Sequence, residues 1–271
     1  MRYWKGSISL SPTQDYPLLR QVLHSGFVTH NQLFEFLRLD YSVSSRNAFN
    51  NRVSRLVKHG LLVRRETPLA NQGVVYSISH VGASELLGRG EHYVEPVGRA
   101  KANSGQSGLH HSLGLNEIHL ALKRSGSLVY WTPETEIRSR SDLTSHGYSK
   151  YYDAIVTARL AGQDYKFALE YERTPKAARH YLDIQQRIEQ EVAIAHFLYL
   201  APNHDLLWFV ADKLSGCRRA VYFGLFQDFL QQTLALPIRR NGSPASVSLN
   251  SILTHSKVSQ RSGVLFPSID V

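Results

Sequence analysis

YYDAIVTARLAGQDYKFALEYERTPK, residues 151–176, reads as a β-hairpin whose acids all fall on one side. With the turn placed around Gly162 and Gln163, Asp153 stands opposite Glu172 and Ile155 opposite Glu170. Ala154, Val156, Ala158, Leu160, Tyr165, Phe167, Leu169 and Tyr171 then share an apolar face. Asp153, Thr157, Arg159, Lys166, Glu170 and Glu172 share the other, beside Ile155 and Ala168. A slip of one residue would carry acids into the apolar face, so this register is favoured. Three carboxylates, Asp153, Glu170 and Glu172, are thereby expected to converge at one end of a sheet. Their mutual repulsion is costly unless a cation or a partner offsets it, so the stretch is either a divalent-metal site or the relic of one.

Outward from the hairpin, 271 residues leave room for one large domain or two modest ones, and two fit better. No run of eighteen apolar residues occurs, and MRYWKGSISL at the start lacks the apolar core of a secretory signal. A soluble cytoplasmic protein without a membrane partner is expected. One cysteine, Cys217, excludes an internal disulfide framework and any multi-thiolate metal site, and is expected to pack as a small apolar residue. A net charge of +9 points to a polyanionic partner. The excess lies toward the N-terminus: residues 1–90 carry eleven Lys/Arg against five Asp/Glu, and residues 41–65 contain no acid.

That basic third has helical apolar spacing in three successive stretches. Leu18, Leu19, Val22 and Leu23 mark the first, closed by Ser25-Gly26. Leu33, Phe34 and Leu37 mark the second, with Thr29 as its N-cap. Phe49, Val53, Leu56 and Val57 mark the third, capped by Ser44 or Ser45 and ended at His59-Gly60. Strand-like runs follow at residues 61–65 and 74–79, joined by TPLANQG, and VGASELL adds a closing helix. This is the winged helix-turn-helix order. The third helix offers Arg46, Asn47, Asn50, Asn51, Ser54, Arg55 and Lys58 to solvent. Asparagine is a poor helix-interior residue, and reading base edges in double-stranded DNA is one reason to place three there. Arg64 and Arg65 on the ribbon are expected to hold phosphates and position the module. A solvated helix in a protein-binding module is the competing reading.

The fold class expected is mixed, α+β or α/β. It comprises a winged-helix DNA-binding domain over residues 10–90, a Gly- and Ser-rich linker over 91–108, and an α/β domain over 109–271. In the last, HHSLGLNEIHLALKRSG is a helix, LVYWTPETEIRS a strand interrupted by Pro133, and the acidic hairpin comes next. Thr174 caps, and Pro175 starts, a long helix to Ala195 with Tyr181, Ile184, Ile188, Val192 and Ala195 as its buried stripe. Strands are expected at 197–201, 206–210 and 220–223, and a helix at 225–234.

This core resembles the PD-(D/E)xK, or restriction-endonuclease-like, nuclease fold. There a helix and strand precede a hairpin carrying an acid and then Glu-x-Lys. Asp153 matches the first acid and Glu170 the second, while Glu172 stands where the lysine is usual, a departure that some restriction enzymes share. Lys176 is the candidate for the displaced positive charge. Together with the N-terminal module, HHSLGLNEIHLAL, YDAIV and ALEYERTPK make the chain similar to the replication-relaxation family of plasmids and integrative elements. That resemblance implies DNA binding on mobile elements in replication, relaxosome function or transcription.

For hydrolysis, Asp153 and Glu170 would hold Mg²⁺, with Glu172 or Lys176 orienting a water and Glu117 or Glu136 adding a ligand. Against this stands pairing of Glu170 and Glu172 with Arg159, Lys166, Arg173 or Arg179 on a solvated sheet edge. A nuclease-like fold kept as a binding or dimerisation platform is favoured, without a certain cofactor, and a Mg²⁺-dependent DNA endonuclease is the alternative. The partners expected are double-stranded DNA, a second copy of the chain, and a relaxase or replication proteins.

Overall fold

The computed structural model describes residues 8–41, 45–67, 73–91, 106–144, 147–243 and 245–261. The chain is mixed α+β and divides into two units, residues 1–124 with 133–147, and residues 125–132 with 148–271. Of the expected linker, residues 92–105 lie outside the described residues, as do the candidate cap Ser44 and residues 68–72 of the ribbon turn.

In the first unit, α1 (Asp15–Ser25), α2 (His30–Tyr41) and α3 (Arg46–Lys58) form where the apolar spacing places them. Leu18, Leu19, Val22, Leu33, Phe36, Phe49 and Leu56 are wholly buried in one core. The caps follow the sequence. The Gln32 amide donates to Thr29 Oγ1 at 3.1 Å ahead of α2, and the Ala48 amide donates to Ser45 Oγ at 3.2 Å ahead of α3. Gly60, at φ +71°, lets the chain leave α3 through the left-handed region that a glycine adopts without strain. Strands β2 (Leu62–Glu66) and β3 (Val74–Ile78) pair antiparallel, Arg64 opposite Tyr76. β1 (Val28–Thr29) joins the other edge of β3, making a three-stranded sheet in the order β1-β3-β2. This third strand was not expected; two residues carry no period. Helix α4 (His80–Leu87) closes the set, with the Gly82 amide donating to Ser79 Oγ at 2.9 Å.

Helix α5 (Gln106–Arg124), expected to open the second domain, groups with the first unit instead. Its inward polar residues explain why. Asn116 Nδ2 donates to the Phe27 carbonyl at 2.8 Å, and Gln32 Nε2 donates to the Leu113 carbonyl at 3.1 Å and to Glu117 at 2.7 Å. The stretch after Pro133, expected to continue as strand, is helix α6 (Glu134–Leu143), stabilised by Glu134–Arg138 and Glu136–Arg140 pairs one turn apart.

The second unit is built on a seven-stranded sheet in the order β10-β9-β8-β7-β6-β5-β4. Its strands are β4 (Leu128–Pro133), β5 (Ala154–Leu160), β6 (Gln163–Tyr171), β7 (Phe197–Ala201), β8 (Val221–Leu225), β9 (Pro237–Arg240) and β10 (Ser246–Ser248). β5 and β6 run antiparallel; β6, β7 and β8 run parallel; β9 and β10 return antiparallel. The hairpin register differs from expectation by two residues. Leu160 pairs with Gln163 across Ala161-Gly162, so Ile155 lies opposite Ala168 rather than Glu170. Both turn residues have positive φ, the geometry of a two-residue hairpin loop. A shift of two preserves which residues share a face, and the sorting of side chains survives.

Helix α7 spans Ala178–Gln190, shorter at both ends than the expected 175–195. Tyr181, Ile184 and Ile188 are buried, but Val192 is 93% exposed beyond the helix end. The run at 206–210 is not a strand but part of α8 (His204–Lys213), because Asn203 caps it and Leu206, Leu207 and Val210 bury one helical face. Helix α9 (Phe226–Gln232) and α10 (Leu249–Arg261) complete the unit. Cys217 is buried, and that burial raises its thiol to about 11, so it packs rather than reacts.

Candidate nucleic-acid interface and acidic hairpin

Helix α3 separates its polar residues into two groups. Asn47, Asn51, Ser54 and Lys58 are exposed at intervals of four, three and four, a straight stripe along one helix face. Arg46, Asn50 and Arg55, expected beside them, are half-buried and engaged. The Arg46 guanidinium lies 4.5 Å from the Phe34 ring centroid and donates to Asn31 at 2.5 Å. Asn50 Oδ1 meets His30 Nε2 at 2.8 Å. Arg55 pairs at 2.5 Å with Asp15, which is wholly buried and also takes the Ser11 amide at 2.7 Å. These three residues therefore hold α3 against its neighbours. On the ribbon, Arg64 and Arg65 are both exposed; Arg64 sits 3.9 Å from Glu66 and Arg65 lies over Phe27. A groove between α3 and the ribbon is lined by Ser54, Lys58, Arg64, Asn31, His30 and Tyr76.

The acidic hairpin is unlike the solvated edge that the competing reading expected. β6 is an interior strand, and Glu170 and Glu172 are nearly fully buried. Their partners are neither Arg159 nor Lys166: Arg159 pairs with Asp164 at 2.8 Å. Lys150 Nζ donates to Glu170 and Lys176 Nζ donates to Glu172. Lys176 precedes α7 instead of lying inside it, yet it reaches back four residues as expected. Asp153 accepts the Tyr171 amide at 2.8 Å, one step from the last ladder pair. Burial pushes the Glu170 carboxyl up to about 7, Lys150 working against the shift and Asp153 adding to it. Lys176 is raised, the Glu172 and Glu170 carboxylates outweighing its own burial. Burial also raises the Tyr199 phenol, with Glu170 adding to the shift, and the Tyr199 hydroxyl has no hydrogen-bond partner among the described residues.

Asp153, Glu170, Glu172 and Lys176 thus do lie within electrostatic reach of one another. A metal-ligand set is another matter. Among the described residues no group of three or more His, Cys, Asp or Glu side chains is placed to hold a metal ion. Glu117 receives Gln32 and Glu136 receives Arg140, so neither is a spare ligand. Lysine ammonium groups stand against both glutamates. Lys150 was missed by sequence reasoning; it lies just ahead of YYDAIV and outside the paired strands, so no register places it against Glu170.

The profile of the replication-relaxation family matches residues 19–191, well over half of the chain. The chain belongs to the replication-relaxation family. The match takes in α3, the ribbon and the acidic hairpin and ends at Glu191, so the replication-relaxation region stops short of β7 and everything after it. No curated protein and no solved structure matches the chain significantly. No helix among the described residues is long and apolar enough to cross a membrane.

Proposed function

We propose that this replication-relaxation protein binds double-stranded DNA through its first unit, acting on a mobile genetic element as a sequence-specific regulator or as a replication or relaxosome accessory factor. Family membership suggests a role in replication of mobile elements. The observation that carries the DNA reading is the acid-free stripe Asn47, Asn51, Ser54 and Lys58, beside a ribbon bearing Arg64 and Arg65. We read the unit as a winged helix: α3 is of a size to enter the major groove, its asparagines matching adenine edges, while the ribbon cations meet phosphate. Selection from a random duplex library, followed by binding across a salt series, tests this. Asn51→Ala is expected to relax discrimination at one position by about 1–3 kcal/mol, with the fold intact. Equal affinity for every sequence in wild type and Asn51→Ala would remove the claim to specificity.

The second unit supports a PD-(D/E)xK-like reading through its order of strand, antiparallel hairpin, helix and parallel strand. We infer that it serves as a binding or dimerisation platform, with a homodimer, a relaxase or replication proteins as its partners. The alternative, a Mg²⁺-dependent endonuclease targeted by the first unit, draws on the proximity of Asp153, Glu170, Glu172 and Lys176. Lys150 paired with the buried Glu170 argues against it, whereas Lys176 beside Glu172 is what that reading expects. Mg²⁺-dependent cleavage by pure protein, lost in Asp153→Ala, would reverse that preference. Sedimentation of the full chain, free and with DNA, tests the dimer.

A further inference from the structure

Beyond the region matched by the family, α8, β8 and β9 enclose a concave groove lined by Trp208, Phe223, Asp228, Arg239 and Arg240, with His204 at one end. Helix α8 buries Leu206, Leu207 and Val210 but leaves the Trp208 indole 47% exposed. Across the β8–β9 pairing Arg239 lies opposite Phe223, which aims its guanidinium at the same face; it sits 4.8 Å from the Trp208 ring centroid. Arg239 is exposed and makes no ion pair with a carboxylate among the described residues, whereas Arg240 pairs with Tyr222 in the ladder and turns to the other face of the sheet. Asp228, half-buried in the wall, has no hydrogen-bond partner among the described residues.

We propose that this groove binds single-stranded DNA: an unpaired base stacks on Trp208, its phosphate is taken by Arg239, and Asp228 accepts an N–H from the base edge. A flat exposed ring with an arginine free of any carboxylate over it is the chemistry of single-strand recognition, where stacking supplies sequence-tolerant affinity and arginine follows the backbone. Duplex DNA is excluded by shape, because its bases present no free π-face without being extruded from the stack. An apolar peptide would leave Arg239 without a counter-charge. The inference does not depend on the duplex reading, since every residue it uses lies in the second unit, downstream of the family match.

The test is binding of a labelled oligothymidylate of about 12 nucleotides to the full chain, beside a duplex of equal length. Trp208→Ala and Arg239→Ala are each expected to weaken single-strand binding about tenfold or more and to leave duplex binding unchanged. Trp208→Phe, which keeps a ring, should restore most of the loss, and quenching of tryptophan fluorescence by the oligonucleotide should vanish in Trp208→Ala. If Trp208→Ala proves unfolded by circular dichroism, Trp208→Phe and Arg239→Ala carry the test. Wild-type single-strand affinity in Arg239→Ala together with unaltered quenching in Trp208→Phe, or a loss that follows only Lys58, Arg64 and Arg65 of the first unit, overturns the proposal. Loss of duplex binding in those first-unit variants is a separate readout, so failure of one reading is distinguishable from failure of the other.

Discussion

Two charged regions of this chain handle charge in opposite ways. On α3 the residues left unpaired are exposed, and the arginines that touch an acid or an aromatic ring are withdrawn into packing. In the hairpin the two glutamates are buried and each has its own lysine. Exposed uncompensated cations are free to be neutralised by a ligand, whereas buried paired acids are already neutralised and resist further exchange. A basic sequence segment therefore says less about binding than which of its cations the fold leaves unspent.

The largest effect expected from breaking this contrast is in the hairpin. Lys150→Met leaves Glu170 buried without its counter-charge and should cost about 3–5 kcal/mol of stability at pH 8, measured by denaturant unfolding. Because Glu170 titrates at about 7, the cost should shrink at pH 5, where the carboxyl is neutral, and Lys150→Met with Glu170→Gln should recover much of it. A smaller loss, about 1–3 kcal/mol, is expected for Arg55→Ala, which strips the buried Asp15 of its closest cation and leaves Arg52 at 3.4 Å. That variant should affect the stability of the first unit more than its choice between DNA sites.

The two units should also respond to acid with opposite sign. Glu170 has a folded-state value above the ordinary 4.5, so between about 7 and 4.5 the folded second unit holds a proton that the unfolded chain has released, and its stability rises as pH falls through that window. His24 and His119 in the first unit are lowered from 6.5 by burial, as is His196 in the second, which offsets part of the Glu170 gain there. Below that value the unfolded chain takes up protons that the fold refuses, and stability falls. Hydrogen exchange resolved by segment at pH 7.5 and pH 5, corrected for intrinsic rates, should show protection moving from the first unit toward the second. Parallel changes in both units would contradict the assignment of these groups.

Local periodicity made α1, α2, α3 and the hairpin faces legible, because each repeats its apolar residues over at least two turns or four alternations. Short apolar runs did not carry that information. Residues 206–210 suit a strand or a buried helix turn equally, and only the Asn203 cap decides between them. Pro133 looks like an interruption of a strand, yet it sits at the N-cap position of α6. Of the candidate interface, Asn47, Asn51, Lys58, Arg64 and Arg65 are placed at the surface as expected, while Arg46, Asn50 and Arg55 are drawn in by Phe34, His30 and Asp15, tertiary partners distant in sequence. The hairpin register lies two residues from the expected one, which takes Ile155 away from Glu170, and Lys150, outside the paired strands, is the partner of Glu170.

The central claim is that the first unit meets duplex DNA through the exposed cations Lys58, Arg64 and Arg65 beside the α3 stripe. The logarithm of duplex affinity against the logarithm of salt concentration measures this directly, for wild type and for Lys58→Ala with Arg64→Ala and Arg65→Ala. Loss of three phosphate contacts should lower the magnitude of the slope by about 2.7 and weaken binding to all sequences alike. An unchanged slope in the folded triple variant would contradict the account and move the DNA contact elsewhere in the chain.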